Sequence, residues 1–189
     1  MFDVNEMDPE KVKRVRHYIA YVAMLLLLHV VSLVFYALFV GNMVRPELLY
    51  PDGRQVGIVV TYSLLLTVLF HVVLTVAYAR NGEERRAYLE LTREGAMPLV
   101  GRFRRIWREQ LYHTLILLGL QLPFRVFYAS ADFVFGDITV FEMLFAVDAS
   151  FYLLTDNFAL GYLLNGLLHF LLFVGGRLLA VHLWERERL

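Results

Sequence analysis

Four long apolar runs, His17–Gly41, Val56–Ala79, Gln110–Ala131 and Phe158–Trp184, divide this chain, and the bases between them gather on one side. Each run reaches the length of about 20 residues that a helix needs to cross about 30 Å of hydrocarbon. The 189 residues are 59% hydrophobic with a mean hydropathy of +0.56. A soluble domain of this size could not bury so much apolar surface in its own core, so lipid must cover part of it. The expected fold is all-α: a four-transmembrane-helix bundle forming a single membrane domain over residues 1–189. It is expected as a multi-pass protein of a bacterial cytoplasmic membrane, with the lipid bilayer as its first partner. The first run is too long for the core of a cleavable signal peptide, and no small-residue cleavage site precedes the loop after it.

Orientation follows from the bases. One side carries Lys11, Lys13, Arg14 and Arg16, then Arg80, Arg85, Arg86, Arg93, Arg102, Arg104, Arg105 and Arg108, then Arg186 and Arg188. Opposite them stand only Arg45 and Arg54. By the positive-inside rule both termini and the loop 80–109 are cytoplasmic. The formal net charge of zero conceals this asymmetry. Nothing in the chain points to nucleic acid, and the absence of cysteine removes disulfides, thiol redox chemistry and thiolate-held metal clusters.

The segment 132–157 tests the span count. It contains Val140-Phe-Glu-Met-Leu-Phe-Ala-Val147, apolar enough for a fifth span, but also Asp132, Asp137, Glu142, Asp148 and Asp156 with no base. A central acid costs about 2.5–3.5 kcal/mol on insertion, and a fifth span would carry Arg177, Arg186 and Arg188 outside. The segment therefore reads as an external acidic interfacial helix or re-entrant lid. Pro51-Asp52-Gly53 reads as a turn, Asn81-Gly82 as a C-terminal cap of the second span, and Glu83–Glu94 as a short helix. The stretch Val100–Arg108 starts a helix that continues into the third span. Its Arg102, Arg104, Arg105 and Arg108 suit anionic lipid head groups, and Trp107 an interfacial position.

Polar residues inside the spans recur at helical spacing: His29, Ser32 and Tyr36; Ser63, Thr67, His71, Thr75 and Tyr78; Thr114, Gln121, Arg125, Tyr128 and Asp132; Asn165 and His169, with Gly176 and Arg177 beyond. Because a polar group facing lipid is costly, four such stripes should face inward and form a polar core. Hydroxyls can equally serve as interhelical glue at about 0.6 kcal/mol each. Arg125, deep in the third span beside Pro123, is the expected centre of a pathway or of a pair with the external acids. Arg177, nearer the cytoplasmic edge, is expected to snorkel. Gly161, Gly166, Gly175 and Gly176 offer close-packing surfaces for a homodimer or a larger membrane complex.

All six histidines lie in or at the ends of the spans. His29, His71 and His169 come at mid-depth, and His17, His113 and His182 at the cytoplasmic edge. Together with the size, the four spans and the stretch Gly161-Tyr-Leu-Leu-Asn-Gly-Leu-Leu-His169, this resembles the four-helix b-type cytochromes of membranes. That resemblance implies bis-histidine haem b, with His29, His169, His17 and His182 as ligands. The sequence departs from the pattern in having no histidine at outer depth. At 100° per residue, about 12 residues also turn His17 some 120° away from His29. The mid-depth triad alternatively suits a transition metal or a proton-linked relay.

Enzyme motifs are wanting. No H-E-x-x-H occurs, and the histidines form no boxes. Glu83-Glu84 resembles the opening of the paired-glutamate motif of intramembrane prenyl-protein proteases, but Tyr88 replaces its arginine. Ser63 and His71 sit two turns apart without a nucleophile loop. The expectation is therefore a non-enzymatic transporter or channel-like protein, or an accessory subunit of a membrane complex, with no catalytic residues, metal or cofactor. The alternative is a haem-bearing electron carrier.

Overall fold

The computed structural model describes residues 9–35, 53–93, 99–130, 151–155 and 157–186. These form six helices: α1 (Pro9–Phe35), α2 (Gly53–Ala79), α3 (Gly82–Arg93), α4 (Leu99–Ser130), α5 (Phe151–Thr155) and α6 (Phe158–Arg186). No strand occurs among the described residues. Asp132, Asp137, Glu142, Asp148 and Asp156, and with them the proposed external lid, lie outside the described residues, as does Tyr36. The same holds for the side chains of His29, Ser32, Arg102, Arg125 and Tyr128.

Local chemistry explains the breaks. Pro9 opens α1, where its missing N–H is no loss and its fixed φ suits a first turn. Between α2 and α3 the chain turns sharply, with Asn81 N–H bonded to the Tyr78 carbonyl at 2.9 Å. Asn81 Oδ1 then accepts from the N–H groups of Glu83 and Glu84 at 3.2 and 3.3 Å. Asn81 is thus the N-cap of α3, rather than a C-cap of the preceding span, because its side chain meets the otherwise orphaned amides of the next helix. Glu83 and Glu84 in that first turn complement the helix dipole. Asn157 caps α6 in the same way, accepting from Leu160 N–H at 3.0 Å. The α4 helix runs unbroken from the basic stretch into the apolar one and on past Pro123.

Helix α6 is the centre of the bundle, packing its backbone against α2 and α4 and beside α5. Among the described residues α1 stands further off and reaches its neighbours through side chains. Two apolar clusters hold the interior. Tyr21, Leu25, Phe70, Leu117 and Phe173 form the larger; Ile106, Val181 and Trp184 form the second, with Tyr78 and Tyr88 against it.

The distribution of polarity is inverted relative to a water-soluble bundle. Ser63, Thr67, His71, Gln110, His113, Thr114, Gln121, Asn165 and His169 are buried. Leu26, Leu27 and Val30 on α1, Leu65, Leu69 and Val72 on α2, Leu115 on α4, and Leu163, Leu167 and Leu171 on α6 point outward. Apolar outer surface on this scale marks a partner or a membrane. Two helices are long and apolar enough to cross one, over Val60–Ala79 and Phe158–Arg186.

Two glycines of α6, Gly166 and Gly176, serve packing within the chain. A Cβ on Gly166 would press on the Leu118 side chain, and one on Gly176 would overlap Thr75 Oγ1, whereas Gly175 faces open space. Thr75 cannot turn aside freely, because its hydroxyl donates to the His71 carbonyl at 2.7 Å. Gly176→Val is accordingly expected to destabilise the fold by about 2–3 kcal/mol through overpacking. Gly175→Val should stay within about 0.5 kcal/mol. Thermal unfolding of the two variants in detergent compares them, and equal losses would mean that α2 and α6 are not in close contact at Gly176.

Candidate functional site

The inward polar residues of α2, α4 and α6 meet as side-chain pairs spread along the bundle axis. Deepest from the α2–α3 turn, Asn165 Nδ2 donates to Gln121 Oε1 at 3.5 Å. Both residues are almost fully buried, at 0% and 1% exposure. One turn along α6, His169 Nδ1 lies 2.9 Å from His71 Nε2. Thr67 and Ser63 continue the buried face of α2. The two faces coincide because Ser63, Thr67 and His71 recur every four residues, as do Asn165 and His169.

A second imidazole pair joins α1 to α4. His17 Nε2 and His113 Nε2 are 3.0 Å apart, and His113 Nδ1 faces Gln110 Oε1 at 3.3 Å. The Tyr21 hydroxyl donates to the His113 carbonyl at 3.2 Å. Phe173 touches both imidazole pairs, with its ring centroid 4.4 Å from that of His71 and 5.8 Å from that of His113. A cavity of about 250 Å³ opens along this level, bordered by His17, Tyr21, His71, Gln110, His113, Gly176 and Arg177, and reaching Asn81 at the α2–α3 turn. At roughly 30 Å³ per molecule of liquid water, it has room for several waters.

Arg177 borders the cavity on the side of that turn. Its Nη2 lies 3.2 Å from both carboxylate oxygens of Glu109 and 3.6 Å from Glu84 Oε2. Its Cζ sits 3.0 Å from the centroid of the Tyr78 ring. The side chain is only 10% exposed. Snorkelling, expected from its position near a span end, is therefore not what Arg177 does. Carboxylates from α3 and α4 come to it inside the bundle, and an ion pair with a stacked ring satisfies the guanidinium there.

Comparison with family models, with curated proteins and with solved structures finds no match.

The site residues expected from sequence therefore divide into three groups. Gln121, Thr67, His71, Asn165 and His169 line the interior together. His29, Arg125 and Tyr128 have side chains outside the described residues, so the mid-depth triad is seen as the pair His71–His169. Of the head-group arginines, Arg104, Arg105 and Arg108 are exposed along the first turns of α4. Of the ligand pairs implied by the cytochrome resemblance, His17–His182 is not formed, since His17 meets His113 on α4 and His182 is exposed on α6. The His29 side chain of the other pair lies outside the described residues, and His169 meets His71. Two metal–nitrogen bonds of about 2 Å in line need nitrogens about 4 Å apart. Both imidazole pairs, at 2.9 and 3.0 Å, are closed too tightly to flank an iron as they stand.

Glu109 and Gln110 carry no signal that singles them out in the sequence, and neither the position of His113 at the cytoplasmic edge nor that of Arg177 beyond His169 indicates that the two meet Glu84, Glu109 and Gln110 in one group. Only the i, i+4 spacing of Glu109 and His113, which places a carboxylate and an imidazole on one helix face, hints at it.

Proposed function

We propose that the chain is a four-span membrane bundle, with both termini and the α3 side cytoplasmic, that carries protons through its histidine-lined interior. The observation that supports this most is the axial series of cavity, His17–His113 pair, His71–His169 pair and Asn165–Gln121 pair. Along α2 alone, Ser63 to Thr75 covers about 18 Å of a hydrocarbon layer of about 30 Å. Plain interhelical glue accounts for hydroxyls that bond their own backbone, as Thr75 and Thr114 do. It does not account for two cross-helix imidazole pairs beside a cavity with room for several waters. An imidazole titrates near neutral pH and can accept a proton on one nitrogen while releasing it from the other. Chains of such groups in membrane helices are a recurrent form of proton relay. Phe173, which touches both pairs, is the apolar partition between them. Arg125, one turn beyond Gln121 on α4, lies at the far end of the series.

Purified protein in liposomes containing a pH-sensitive dye, energised by a potassium diffusion potential, tests the reading. Wild type should acidify or alkalinise the lumen according to the sign of the potential. His169→Ala should reduce that rate at least tenfold, and exposed His182→Ala should leave it unchanged. Proton flux equal to that of empty liposomes, or a fully active and correctly folded His169→Ala protein, would refute the proposal. An accessory-subunit role would then be the reading to pursue. The haem alternative is checked on the same preparation, which should show no Soret band shifting with dithionite.

A further inference from the structure

We infer that His17, Glu109 and His113 form a binding site for a divalent transition metal ion where α1 meets α4. One ligand atom from each of the three residues lies within 4.8 Å of the other two. The donor set, two imidazoles and a carboxylate, is that of open zinc sites and of non-haem iron sites. The inference concerns a resident ion and is read separately from proton movement, in which the His17–His113 pair would take no part while the ion is bound.

Four features of the surroundings favour a metal over a simple imidazole hydrogen bond. First, Gln110 Oε1 at 3.3 Å from His113 Nδ1 places the proton on that nitrogen. The lone pair of Nε2 is then directed at His17, which is how a second partner orients a ligating histidine. Second, the nitrogen separation suits a bent geometry. Two bonds of about 2.0–2.1 Å at a tetrahedral centre put their nitrogens roughly 3.3 Å apart. The observed 3.0 Å needs only a small opening, whereas in-line ligation needs about 1 Å.

Third, the local charge has room for a cation. Arg177 faces two carboxylates, Glu109 and Glu84, and Arg105 lines the same recess, so both carboxylates keep a guanidinium nearby if Glu109 turns one oxygen to a cation. Glu109 can turn an oxygen to the ion while Arg177 keeps Glu84. Fourth, three protein ligands leave a coordination position open toward the adjoining cavity, where water or a small anion can enter. His17 is exposed and His113 buried, so the ion has an entry path without passing through the bundle. Thiolate-selective metals are disfavoured, because no sulfur donor is present in the set.

The test uses the full chain with a histidine-free affinity tag, stripped with chelator in mild detergent and titrated with Zn²⁺ by calorimetry. Metal retained after dialysis is counted by elemental analysis. One Zn²⁺ per chain is expected. His17→Ala and Glu109→Gln should each weaken binding on the order of 100-fold, and Gln110→Leu, acting through His113, about tenfold. His182→Ala should bind as wild type. His17→Ala changes an exposed side chain, so its elution profile and unfolding temperature serve as the folding control should His113 variants not accumulate. Absence of stoichiometric Zn²⁺, or a folded His17→Ala protein with wild-type affinity, would overturn the site. Because binding is read at equilibrium in detergent, it can fail while proton flux persists, or persist while flux fails.

Discussion

Replacing Arg177 with Met is expected to destabilise the protein by about 2–4 kcal/mol, because it leaves partly buried carboxylates without their counter-charge. Glu109 and Glu84 both converge on Arg177 Nη2, and removing the guanidinium leaves two partly buried carboxylates together with only Arg105 nearby. Arg177→Lys should fall between, since an ammonium cannot hold two carboxylates and stack on Tyr78 at once. The decisive comparison is the triple variant Glu84→Gln, Glu109→Gln, Arg177→Met. If stranded charge is the cause, the triple variant regains at least half of the loss despite carrying more substitutions. Thermal unfolding in detergent, followed by near-ultraviolet circular dichroism, measures all three. A triple variant no more stable than Arg177→Met would assign the effect to lost packing over the Tyr78 ring instead.

Trp184→Ala should cost about 3–5 kcal/mol, the range for deleting a large buried aromatic. Trp184 is 2% exposed and stacks near Tyr78 and Tyr88 at 4.9 and 5.8 Å between ring centroids. Its Nε1–H donates to the carbonyl of Ala79, the last residue of α2, at 2.8 Å. That single side chain therefore ties the end of α2 and the face of α3 to α6. Trp184→Phe keeps most of the volume but orphans the carbonyl, so it should lose only about 1–2 kcal/mol. Hydrogen exchange adds a second readout: α3 amides should lose protection in Trp184→Ala well before those of α2. Equal destabilisation by the two substitutions would mean that the hydrogen bond, and not the ring, holds this corner.

The stripe Ser63, Thr67, His71 is legible in the sequence because periodicity and burial are both properties of one apolar helix. A polar residue every four positions in an otherwise apolar run has one economical orientation, and α2 adopts it. Gln121, Asn165 and His169 are buried on their helices as well. Depth alone misleads for Arg177: a base near a span end snorkels unless acids reach it, and those acids come from α3 and α4. Glu109, and the partnership of His113 with it, are hidden for a related reason. The two residues sit where the basic stretch of α4 passes into its apolar stretch, so each reads as boundary composition rather than part of a site. Asn81-Gly82 reads in sequence as the end of the helix before it, whereas Asn81 Oδ1 serves the helix after it.

Hydropathy and the sidedness of charge belong to each segment separately, and the all-helical class and the inward polar faces followed from them without reference to neighbours. Which imidazole meets which is a different kind of fact. It depends on helix adjacency and on rotation about each axis, and a displacement of one residue turns a side chain by about 100°. His17 therefore pairs with His113 on α4, and His71 with His169 on α6, although the depths of all six histidines were equally compatible with other partners. The ion pair at Arg177, the cavity beside it and the His17–Glu109–His113 cluster arise only once α1, α3, α4 and α6 are brought around one interior.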